Sequence, residues 1–487
     1  MQSIQEDFTC IAIDMGAGSI RVMLGEIRDE LISFREVHRI SNEIVVKNGH
    51  ERWDMEHIVK EIKKGISNAI EVSERTPQSI GADAWGVDYV LLDEDGKLAD
   101  IPVAYRDKRT EGMEDEWKTL MTENETFRRT GINFYIFNTL FQLLSSRNTE
   151  PMIKSKHLLF IPGYLNYLLS GSIYNELTIS STSQLLRVDS ESWDHLILEK
   201  LNLDADMLGR IIAPGTLLGP VKIPEVRGLQ MENVAVCGHD TACVVAAIPV
   251  ENPDYAYISA GTWCMVGIES KVPLISDDAL NLGLTNERGY NHTYRTLKNI
   301  VGLWLIQGLK KNLPGGTSFA EMEAMTREGD SNVPVIDPDD PVFYNPEDMK
   351  EAFDAYFIKT GQPIPESFGT YICCAYDSLC FSFRYHIDKM EKISGKSIGV
   401  LHILGGGSQS DYLNQRIASI CERKVVSGPV EGAILGNILI QAIAMGKIAG
   451  LEEGRALVKK SSRLKSYDPE KEPAVERYHR FIQLKEN

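Results

Sequence analysis

Four short polar or glycine-rich motifs in the chain carry the residue types that phosphate transfer requires. The first is Asp14–Ser19 (DMGAGS), in which a carboxylate precedes a glycine-rich turn. Glycines let backbone amides approach phosphate oxygens without a Cβ clash, and a carboxylate at a strand end can hold Mg²⁺ directly or through water. A plain hairpin turn has the same composition, so this motif alone leaves both interpretations open.

The second motif is Gly238–Thr241 (GHDT), which lies between a predicted strand and an apolar helix. An Asp beside a helix N-terminus stays ionised and can accept a proton from a hydroxyl nucleophile, which is the usual task of Asp in hydroxyl phosphorylation. Asp is also a favoured N-cap residue, so Asp240 has a structural alternative.

The other two motifs are turns of small residues. Ser259–Thr262 (SAGT) offers short polar groups that suit terminal phosphates. Gly405–Gly407, followed by Ser408 and Asn414, permits the close approach of a phosphate or a flat ring. The alternative for Ser259–Thr262 is a plain tight turn. The alternative for Gly405–Gly407 is a purely conformational role of the glycines.

A fifth run, Ala82–Asp88 (ADAWGVD), combines a Trp, a Gly and two carboxylates, and Ala104–Arg109 follows shortly after it. This combination suits a polyol, whose hydroxyls need acceptors and whose C–H face favours an aromatic ring. The alternative is a buried Trp with solvated acids.

Two widespread nucleotide-binding motifs are excluded. Arg21 stands where a dinucleotide fingerprint needs its third Gly, and the residues after it alternate as a strand. Ser394–Ser397 (SGKS) ends like a P-loop, but Met390 stands where that motif needs a Gly. Phosphate binding would therefore use the strand-and-turn motifs described above.

The composition is that of an acidic globular protein. The 487 residues include 51 Lys and Arg against 69 Asp and Glu, which gives a formal net charge of −18. This charge argues against nucleic acid or an anionic membrane as the main partner. A phosphorylated ligand would have to be bound locally, by backbone amides, a metal ion and a few side chains such as Arg21.

The sequence also predicts a protein of the cytoplasm. Its eight cysteines include no CxxC pair, which argues against a disulfide scaffold or a zinc ribbon. The N-terminal residues lack the basic and apolar regions of a secretion signal. The most apolar helical stretch, 158–169, is short and interrupted by Pro162 and Gly163, so no membrane span is expected.

Hydrophobic periodicity predicts an α/β protein. Residues 9–16, 21–27 and 31–40 alternate as an antiparallel meander, and Asp54 is the predicted N-cap of an amphipathic helix over 55–74. The other predicted elements are strands at 79–83 and 89–92, mainly helices over 110–225, a strand, turn and helix over 233–248, a strand–turn–strand from 255, helices over 298–312 and 369–392, and a strand at 399–407 followed by a helix.

A weak internal repeat indicates two large domains. Residues 11–27 and 255–270 both consist of an apolar strand, a small-residue turn and a second apolar strand. In both turns a short polar residue, Asp14 or Ser259, stands two positions before a glycine. A duplicated domain would produce this pattern.

Taken in order, these motifs make the sequence similar to the FGGY carbohydrate kinases of the actin/Hsp70-like ATPase superfamily. The resemblance covers nearly the whole chain and is carried by DMGAGSIRVML, ADAWGVDYVLLDEDGKLADIPVAYRDKRT, INFYIFNTLFQL, GHDTACVVAAIP, YISAGTWCMVGIES, LKNIVGLWLIQ, IPES, LHILGGGSQSDYLNQ and GPVEGAILGNILIQ. It implies two α/β domains of the actin-like ATPase (ribonuclease H-like) fold that flank a catalytic cleft. Residues 1–248 would form the sugar-binding domain with the catalytic Asp, and residues 249–487 the ATP-binding domain.

The resemblance implies roles for individual residues. Asp240 matches the general base, and Asp14 matches the carboxylate linked to Mg²⁺. The positions that match contacts to ATP are Ala17, Gly18, Ser19, Arg21, Thr262, Gln307, Gly405, Gly406 and Gly407, with Asn414 as a neighbour of the adenine. The positions that match contacts to a ketose are Gly86, His239, Thr241 and Asn299.

Within the family, WGVDYVLLDEDG, FNTLFQL and the LKN–GLWL–Q spacing are similar to members that use ATP and Mg²⁺ to phosphorylate L-rhamnulose at O1. The resemblance thus implies a small ketose as partner, no nucleic acid or membrane, and a monomer or homodimer. Three alternatives stay open: a kinase for another ketose or polyol such as fuculose, xylulose or glycerol, an ATPase of the superfamily without sugar kinase activity, and a catalytically silent sugar sensor.

Three positions depart from the family pattern. Ile20 stands where a small residue is usual, which is expected to narrow the phosphate turn. Gly163 replaces a common Asp, so a polar support is expected to be missing there. Gly432-Ala433 replaces the more usual Ala followed by Ser or Thr.

Overall fold

A computed structural model of the chain describes residues 7–326, 333–471 and 475–486. The strands in these residues are β1 (Phe8–Met15), β2 (Ser19–Arg28), β3 (Leu31–Ser41), β4 (Ile44–Lys47), β5 (His50–Trp53), β6 (Ser79–Ala84), β7 (Tyr89–Leu92), β8 (His157–Phe160), β9 (Asn175–Glu176), β10 (Ile211–Ile212), β11 (Thr216–Pro220), β12 (Glu232–Ala235), β13 (Tyr255–Ala260), β14 (Trp263–Ser270), β15 (Thr285–Arg288), β16 (Tyr294–Val301), β17 (Val400–Leu404), β18 (Lys424–Ser427) and β19 (Lys465–Tyr467).

The α-helices are α1 (Met55–Val72), α2 (Met113–Leu120), α3 (Glu123–Thr130), α4 (Thr139–Ser146), α5 (Glu150–Lys154), α6 (Ile161–Ser170), α7 (Leu177–Ser180), α8 (His195–Leu201), α9 (Ala205–Leu208), α10 (Asp240–Ala246), α11 (Asp277–Asn281), α12 (Trp304–Lys310), α13 (Phe319–Met325), α14 (Met349–Thr360), α15 (Phe368–Ser394), α16 (Asp411–Cys421), α17 (Gly432–Ala444), α18 (Leu451–Ser461) and α19 (Val475–Glu486). None of the helices in the described ranges is both long and apolar enough to cross a membrane.

The chain forms two compact units that are built from interleaved segments. The first unit comprises the residues up to Pro249 together with Ser270–Thr296 and Glu431–Ser462, and the second comprises Val250–Glu269, Leu297–Val430 and the residues from Arg463 onward. Helices α17 and α18 therefore belong to the first unit. A division into domains at residues 248 and 249 stays a prediction.

The first unit is organised around a six-stranded sheet in the order β11-β12-β6-β1-β2-β3. Strands β1, β2 and β3 form the predicted antiparallel meander, and β1, β6 and β12 are parallel neighbours. Every residue of β1 is buried, because helices cover both faces of the sheet. Its alternate residues Ile11, Ile13 and Met15 join the cluster that includes α1, whereas Phe8, Cys10 and Ala12 join the cluster that includes α17.

Helix α1 illustrates why the sequence prediction succeeds in this unit. Its apolar residues recur on one face, and Ile58, Ile62 and Ile66 are buried. The Asp54 side chain accepts a hydrogen bond from the His57 amide at 3.1 Å, which confirms the predicted N-cap. The elements predicted at 79–83, 89–92 and 233–248 are also present, as β6, β7, β12 and α10.

The second unit contains most of a sheet with the strand order β16-β14-β13-β17-β18-β19; residues 294–296 of β16 and Ser270 of β14 belong to the first unit. Strand β13 pairs antiparallel with β14 and parallel with β17, as β1 pairs antiparallel with β2 and parallel with β6 in the first unit. The two hairpins predicted from the internal repeat are thus confirmed. The predicted helix over 369–392 is α15, and the predicted strand at 399–407 is β17 followed by the glycine turn.

One prediction in this unit is wrong. Residues 298–312 do not form a single helix, because β16 occupies 294–301 and α12 begins only at Trp304. A short apolar run in a buried strand has the composition of a buried helix, so periodicity does not separate the two. The break falls at Gly302, where an added Cβ would lie 2.5 Å from the Cys264 Sγ and 2.7 Å from the Gly261 carbonyl oxygen.

Candidate active site

Three of the predicted motifs meet at one edge of the first unit's sheet. Strands β1, β6 and β12 run parallel, so their carboxyl ends carry the turns that follow Asp14, Ala84 and Ala235 to the same place. The Trp85 amide donates to the Met15 carbonyl at 3.0 Å, and the Ala84 amide donates to the Gly238 carbonyl at 2.8 Å. The carboxyl edge of a parallel sheet is where α/β proteins commonly bind ligands.

Asp14 is held by Arg21, its register partner across the β1–β2 hairpin. The Nε and Nη2 of Arg21 both donate to Oδ2 of Asp14, Nε at 3.0 Å, and Nη1 donates to Glu431 Oε2 at 2.6 Å. Burial would lower the pKa of Arg21, but the carboxylates of Asp14 and Glu431 raise it. The arginine therefore orients Asp14 in this structure, and its contact with a phosphate stays a prediction.

The turn between β1 and β2 contains the predicted phosphate contacts Ala17, Gly18 and Ser19. The Gly16 amide donates to the Ser19 carbonyl at 3.0 Å, and the Asn42 side chain donates to the Gly16 carbonyl at 3.0 Å. Among the described residues, none other than Gly18 and its two chain neighbours has a heavy atom within 4 Å of the Cβ position at Gly18, so the turn is open there. The side chain of Ile20 belongs to the hydrophobic core and does not narrow the turn, contrary to expectation.

Asp83, the first carboxylate of the ADAWGVD run, is fully buried and therefore not a solvated acid. It is the register partner of Asp14 on the neighbouring parallel strand, and its Oδ2 accepts a hydrogen bond from Asn437 Nδ2 at 2.7 Å. Its Oδ1 is buried without a hydrogen-bond partner. Burial raises the pKa of Asp83 well above its ordinary value, and the carboxylates of Asp14 and Asp240 raise it further.

This pair of carboxylates fits a magnesium ion. Mg²⁺ usually keeps several waters and takes only one or two protein carboxylates beside the phosphates of a nucleotide. Asp14 and the unpartnered Oδ1 of Asp83 provide such a donor set next to the glycine turn. In the part of the chain that the structure describes, no larger group of His, Cys, Asp or Glu is arranged to hold a metal.

Asp240 is the first residue of α10, and His239 is the N-cap. Its Oδ1 accepts a hydrogen bond from the Thr241 amide at 2.6 Å and lies 3.3 Å from His239 Nε2. Burial raises the pKa of Asp240; the Asp14 carboxylate adds to this rise, whereas His239 and the Thr241 amide oppose it. A carboxylate with a raised pKa is a stronger base.

Two buried residues that no sequence motif contains, Glu287 and Arg295, lie behind the GHDT turn. Arg295 of β16 is fully buried, and its Nη1 donates to Thr241 Oγ1 at 2.6 Å. Its Nη2 lies 2.7 Å from Glu287 Oε2 and 3.0 Å from His239 Nδ1. No motif or spacing in the sequence points to this pair, because the pairing of β15 and β16 brings it to the turn.

The turn after β6 faces His239. A Cβ at Gly86 would lie 3.3 Å from His239 Nε2 and 3.5 Å from Thr182 Oγ1. The next residue, Val87, has a φ of +67°, which a β-branched residue rarely adopts. Its amide donates to Thr182 Oγ1 at 3.2 Å and its carbonyl accepts from Thr139 Oγ1 at 2.7 Å, so the surroundings hold the strained turn.

Asp88 differs from both interpretations of the ADAWGVD run. It is fully buried, and its Oδ2 accepts hydrogen bonds from Trp53 Nε1 at 2.6 Å and Trp85 Nε1 at 2.9 Å. The Tyr105 amide and Gln142 Nε2 also donate to this carboxylate. It is therefore neither solvated nor free to accept from a sugar hydroxyl, and it joins the two tryptophans to the turn.

The second unit brings together its own predicted site residues. Thr262, in the β13–β14 turn, and Gln307 of α12 are 3.4 Å apart through their side-chain polar atoms. The Gly405–Gly407 turn follows β17, which is paired with β13. A Cβ at Gly407 would lie 2.5 Å from the Ala260 Cβ, and Gly405 has a φ of +73°, so both positions require glycine.

Asn414 and Asn299 are placed differently. Asn414 of α16 is fully buried, and its Nδ2 donates to the Ser408 carbonyl at 2.9 Å, so it supports the glycine turn from within. A contact of Asn414 with adenine stays a prediction. Asn299 is partly exposed on β16, four residues after Arg295.

Comparison with known proteins agrees with this arrangement. Residues 9–248 match the N-terminal domain of the FGGY family of carbohydrate kinases, and residues 256–445 match its C-terminal domain. The rhamnulokinase of Pectobacterium carotovorum is 38% identical over 468 residues, which cover 95% of this chain and 93% of that protein. The rhamnulokinase of Ligilactobacillus salivarius is 36% identical over 463 residues, which cover 94% of this chain and 95% of that protein.

The crystal structure of a gluconate kinase from Lactobacillus acidophilus has the same fold. It superposes with a TM-score of 0.81 at 15% sequence identity, covering 98% of this chain and 96% of that one. The predicted two-domain α/β fold is thereby confirmed. By these matches over nearly its whole length, the chain belongs to the FGGY family of carbohydrate kinases.

Proposed function

We propose that this chain is an ATP-dependent kinase that phosphorylates L-rhamnulose on O1, giving L-rhamnulose 1-phosphate and ADP. The observation that carries the proposal is the similarity to rhamnulokinases, at 36–38% identity over 94–95% of the chain. The position of Asp240 at the sheet edge that also carries Asp14 supports it, because a hydroxyl base is needed close to the transferred phosphate.

In the proposed reaction, Asp240 takes the proton of the C1 hydroxyl. The electron pair of that oxygen forms the bond to the γ-phosphorus, while the bond from this phosphorus to the bridging oxygen of ADP breaks. Burial keeps the carboxylate basic, and the Thr241 amide at 2.6 Å holds its orientation.

Asp14, with Asp83 beside it, would hold Mg²⁺, which offsets the negative charge on the phosphates of ATP. The amides of Ala17, Gly18 and Ser19 are the proposed phosphate contacts in the first unit. In the second unit, the proposed contacts to ATP are Thr262, Gln307 and the Gly405–Gly407 turn. Backbone amides and one bound cation suit this task in a chain with a net charge of −18.

The proposed ketose contacts are Gly86, His239, Thr241 and Asn299. Glycine at position 86 leaves the space beside His239 Nε2 open, since a Cβ there would lie 3.3 Å from this nitrogen. Donors at His239 and Thr241 would then hydrogen-bond to sugar hydroxyls and fix the C1 hydroxyl toward Asp240. We further propose that the enzyme works in the cytoplasm as a monomer or homodimer.

A sugar panel tests the proposed substrate. ADP release with Mg²⁺ and ATP would be measured for L-rhamnulose, L-fuculose, D-xylulose and glycerol. We expect kcat/KM for L-rhamnulose to exceed the others at least about tenfold, which corresponds to about 1.4 kcal/mol. A comparable preference for another sugar would assign the chain to a different kinase of the family, and ADP release that ignores sugar would indicate a plain ATPase.

A further inference from the structure

The group behind the GHDT turn is a fully buried arginine. Arg295 lies on β16, and its guanidinium contacts four different residues: Thr241 Oγ1 at 2.6 Å, Glu287 Oε2 at 2.7 Å, His239 Nδ1 at 3.0 Å and the Arg288 carbonyl at 3.2 Å. A buried charge is retained only where partners replace the lost water. Two of these contacts, with Glu287 and Arg288, lie within its own hairpin. The other two, with Thr241 and His239, reach the turn that carries Asp240.

Glu287 compensates the buried positive charge of Arg295. Its carboxylate lies opposite Arg295 Nη2 and is itself only 12% exposed. Burial alone would raise the pKa of Glu287, but neighbouring groups, of which the charge of Arg295 has the largest effect, lower it to about 2, so the residue is ionised at neutral pH. The carboxylate of Glu287 balances the charge of Arg295, and the guanidinium N–H groups, called the fork below, point to the GHDT turn in a fixed geometry.

The fork determines which nitrogen of His239 carries the proton. Arg295 Nη2 lies 3.0 Å from His239 Nδ1, and a guanidinium only donates, so Nδ1 must act as an acceptor. Thr241 Oγ1 accepts from Arg295 Nη1 and lies 3.1 Å from Nδ1 and 3.3 Å from Nε2, so its contact with the ring does not distinguish the two tautomers and the assignment rests on Arg295.

Glu287 Oε2 also lies 3.1 Å from His239 Nδ1 and would by itself favour a proton there. This carboxylate oxygen is already engaged by Arg295 at the shorter distance of 2.7 Å. A second positive charge on the imidazole beside the guanidinium would also be repelled. The neutral ring with its proton on Nε2 satisfies the contacts with Arg295 and Asp240, whereas the ring with its proton on Nδ1 satisfies only the contact with Glu287.

The Nε2 proton faces the position where chemistry is proposed. Nε2 lies 3.3 Å from Asp240 Oδ1, and a Cβ at Gly86 would lie 3.3 Å from the same nitrogen. A ring in this tautomer offers a hydrogen-bond donor to a sugar hydroxyl that approaches Asp240. The opposite tautomer would present a lone pair to the Asp240 carboxylate and to the sugar.

We propose that Arg295, neutralised by Glu287, is a positioning residue that locks His239 in its Nε2–H tautomer and aligns the Thr241 hydroxyl. This inference rests on the proposed function, because it assigns His239 and Thr241 to sugar binding. It adds that the hairpin β15–β16 determines how tightly the ketose binds, without contacting the phosphate donor.

The test uses Arg295→Lys, which keeps the charge but loses the fork, and Glu287→Gln, which keeps the shape but loses the charge. For both we expect KM and calorimetric Kd for L-rhamnulose to rise about tenfold or more, as expected for lost hydrogen bonds to a charged group. KM for ATP should stay within about threefold of the wild-type value, because the phosphate turns are untouched.

The matched control is Arg288→Lys on the same hairpin. Arg288 is also buried, but its side chain donates to the Val188 and Ser190 carbonyls and does not contact the GHDT turn. We expect its sugar KM to stay at the wild-type value. An equal rise in this control would show that the hairpin acts only through general stability and would overturn the proposal.

A spectroscopic readout separates this inference from the substrate assignment. The ¹⁵N spectrum of the histidine rings, assigned with His239→Asn, should show an unprotonated Nδ1 in the wild type and a mixture of tautomers in Glu287→Gln. This measurement needs no sugar, so failure of the rhamnulose assay alone would overturn only the proposed function. A protonated Nδ1 in the wild type, or an unchanged sugar Kd in Glu287→Gln, would overturn the positioning role even if Arg295→Lys fails to fold.

Discussion

Asp14 and Asp83 are register partners on adjacent parallel strands, so two carboxylates lie side by side where the sheet ends. Arg21 neutralises the first, whereas Asn437 donates to Oδ2 of the second, whose Oδ1 has no hydrogen-bond partner among the described residues. Two carboxylates on neighbouring strands repel each other when both are ionised, and a bound divalent cation offsets this repulsion. The arrangement extends the proposed metal site to the first carboxylate of the ADAWGVD run, for which the sequence suggested contact with a polyol.

Asp83→Asn tests this link. Asparagine keeps an oxygen for Asn437 but removes the carboxylate, so we expect the fold to persist. The Mg²⁺ concentration that gives half-maximal activity should rise about tenfold or more, as for other partners of metal ligands. Calorimetric titration of Mn²⁺ in the presence of ADP provides a readout apart from turnover. An unchanged metal dependence would leave Asp83 with a structural role only.

Asp240→Asn tests the proposed base. The amide cannot accept the hydroxyl proton, so kcat should fall about 10²- to 10⁴-fold, the range of general base catalysis. The sugar Kd and the melting temperature should change little, because the side chain keeps its size and its contact with the Thr241 amide. Near-normal kcat in this variant would remove Asp240 from the role.

Gly86→Ala and Gly18→Ala form a matched pair. The added methyl at position 86 would lie 3.3 Å from His239 Nε2, so it should raise the KM for sugar and leave the KM for ATP unchanged. The methyl at position 18 lies more than 4 Å from every described residue except its chain neighbours but enters the proposed phosphate turn, so it should raise the KM for ATP only. Steady-state kinetics with both substrates varied measure the two KM values. A raised KM for ATP in Gly86→Ala and a raised KM for sugar in Gly18→Ala would contradict the assignment of the two turns.

Glu287→Gln should change how stability depends on pH. The pKa of Glu287 is lowered to about 2 in the folded chain from an ordinary value of 4.5. Because the lowered value favours the ionised, folded state, this contribution is fully present above about pH 4.5 and is lost as the pH falls toward 2. It amounts to at most about 3 kcal/mol.

Urea unfolding between pH 2 and pH 7 measures this contribution as the difference between wild type and variant. The variant should lose less free energy of unfolding than the wild type as the pH is lowered through this window. Parallel curves for the two proteins would show that the pKa of Glu287 is not lowered on folding.

The sequence predicted those parts of the site that depend on local patterns. The turns at Asp14, Asp240 and Gly405 follow strands that alternation or apolar runs disclose, and their glycines mark close approach or positive φ. The family assignment followed from the order of these turns. Local patterns also gave the meander and the N-cap of α1.

The missed parts depend on contacts between distant segments. Asp83 and Asn437 are 354 positions apart, and the hydrogen bond between them exists only because α17 packs on β1 and β6. Glu287 and Arg295 look like ordinary surface charges in the sequence, and only the pairing of β15 with β16 buries them behind His239. Register and burial of this kind are not encoded in any short window of residues.

Helix α17 has a consequence for how the chain folds during synthesis. It covers the face of β1 formed by Phe8, Cys10 and Ala12, and Gln441 donates to the Ile11 carbonyl. The ribosome makes β1 more than 400 residues before this helix. Until α17 has been made, the apolar face of β1 is not covered by this helix. The first unit therefore cannot finish folding before nearly the whole chain has been synthesised.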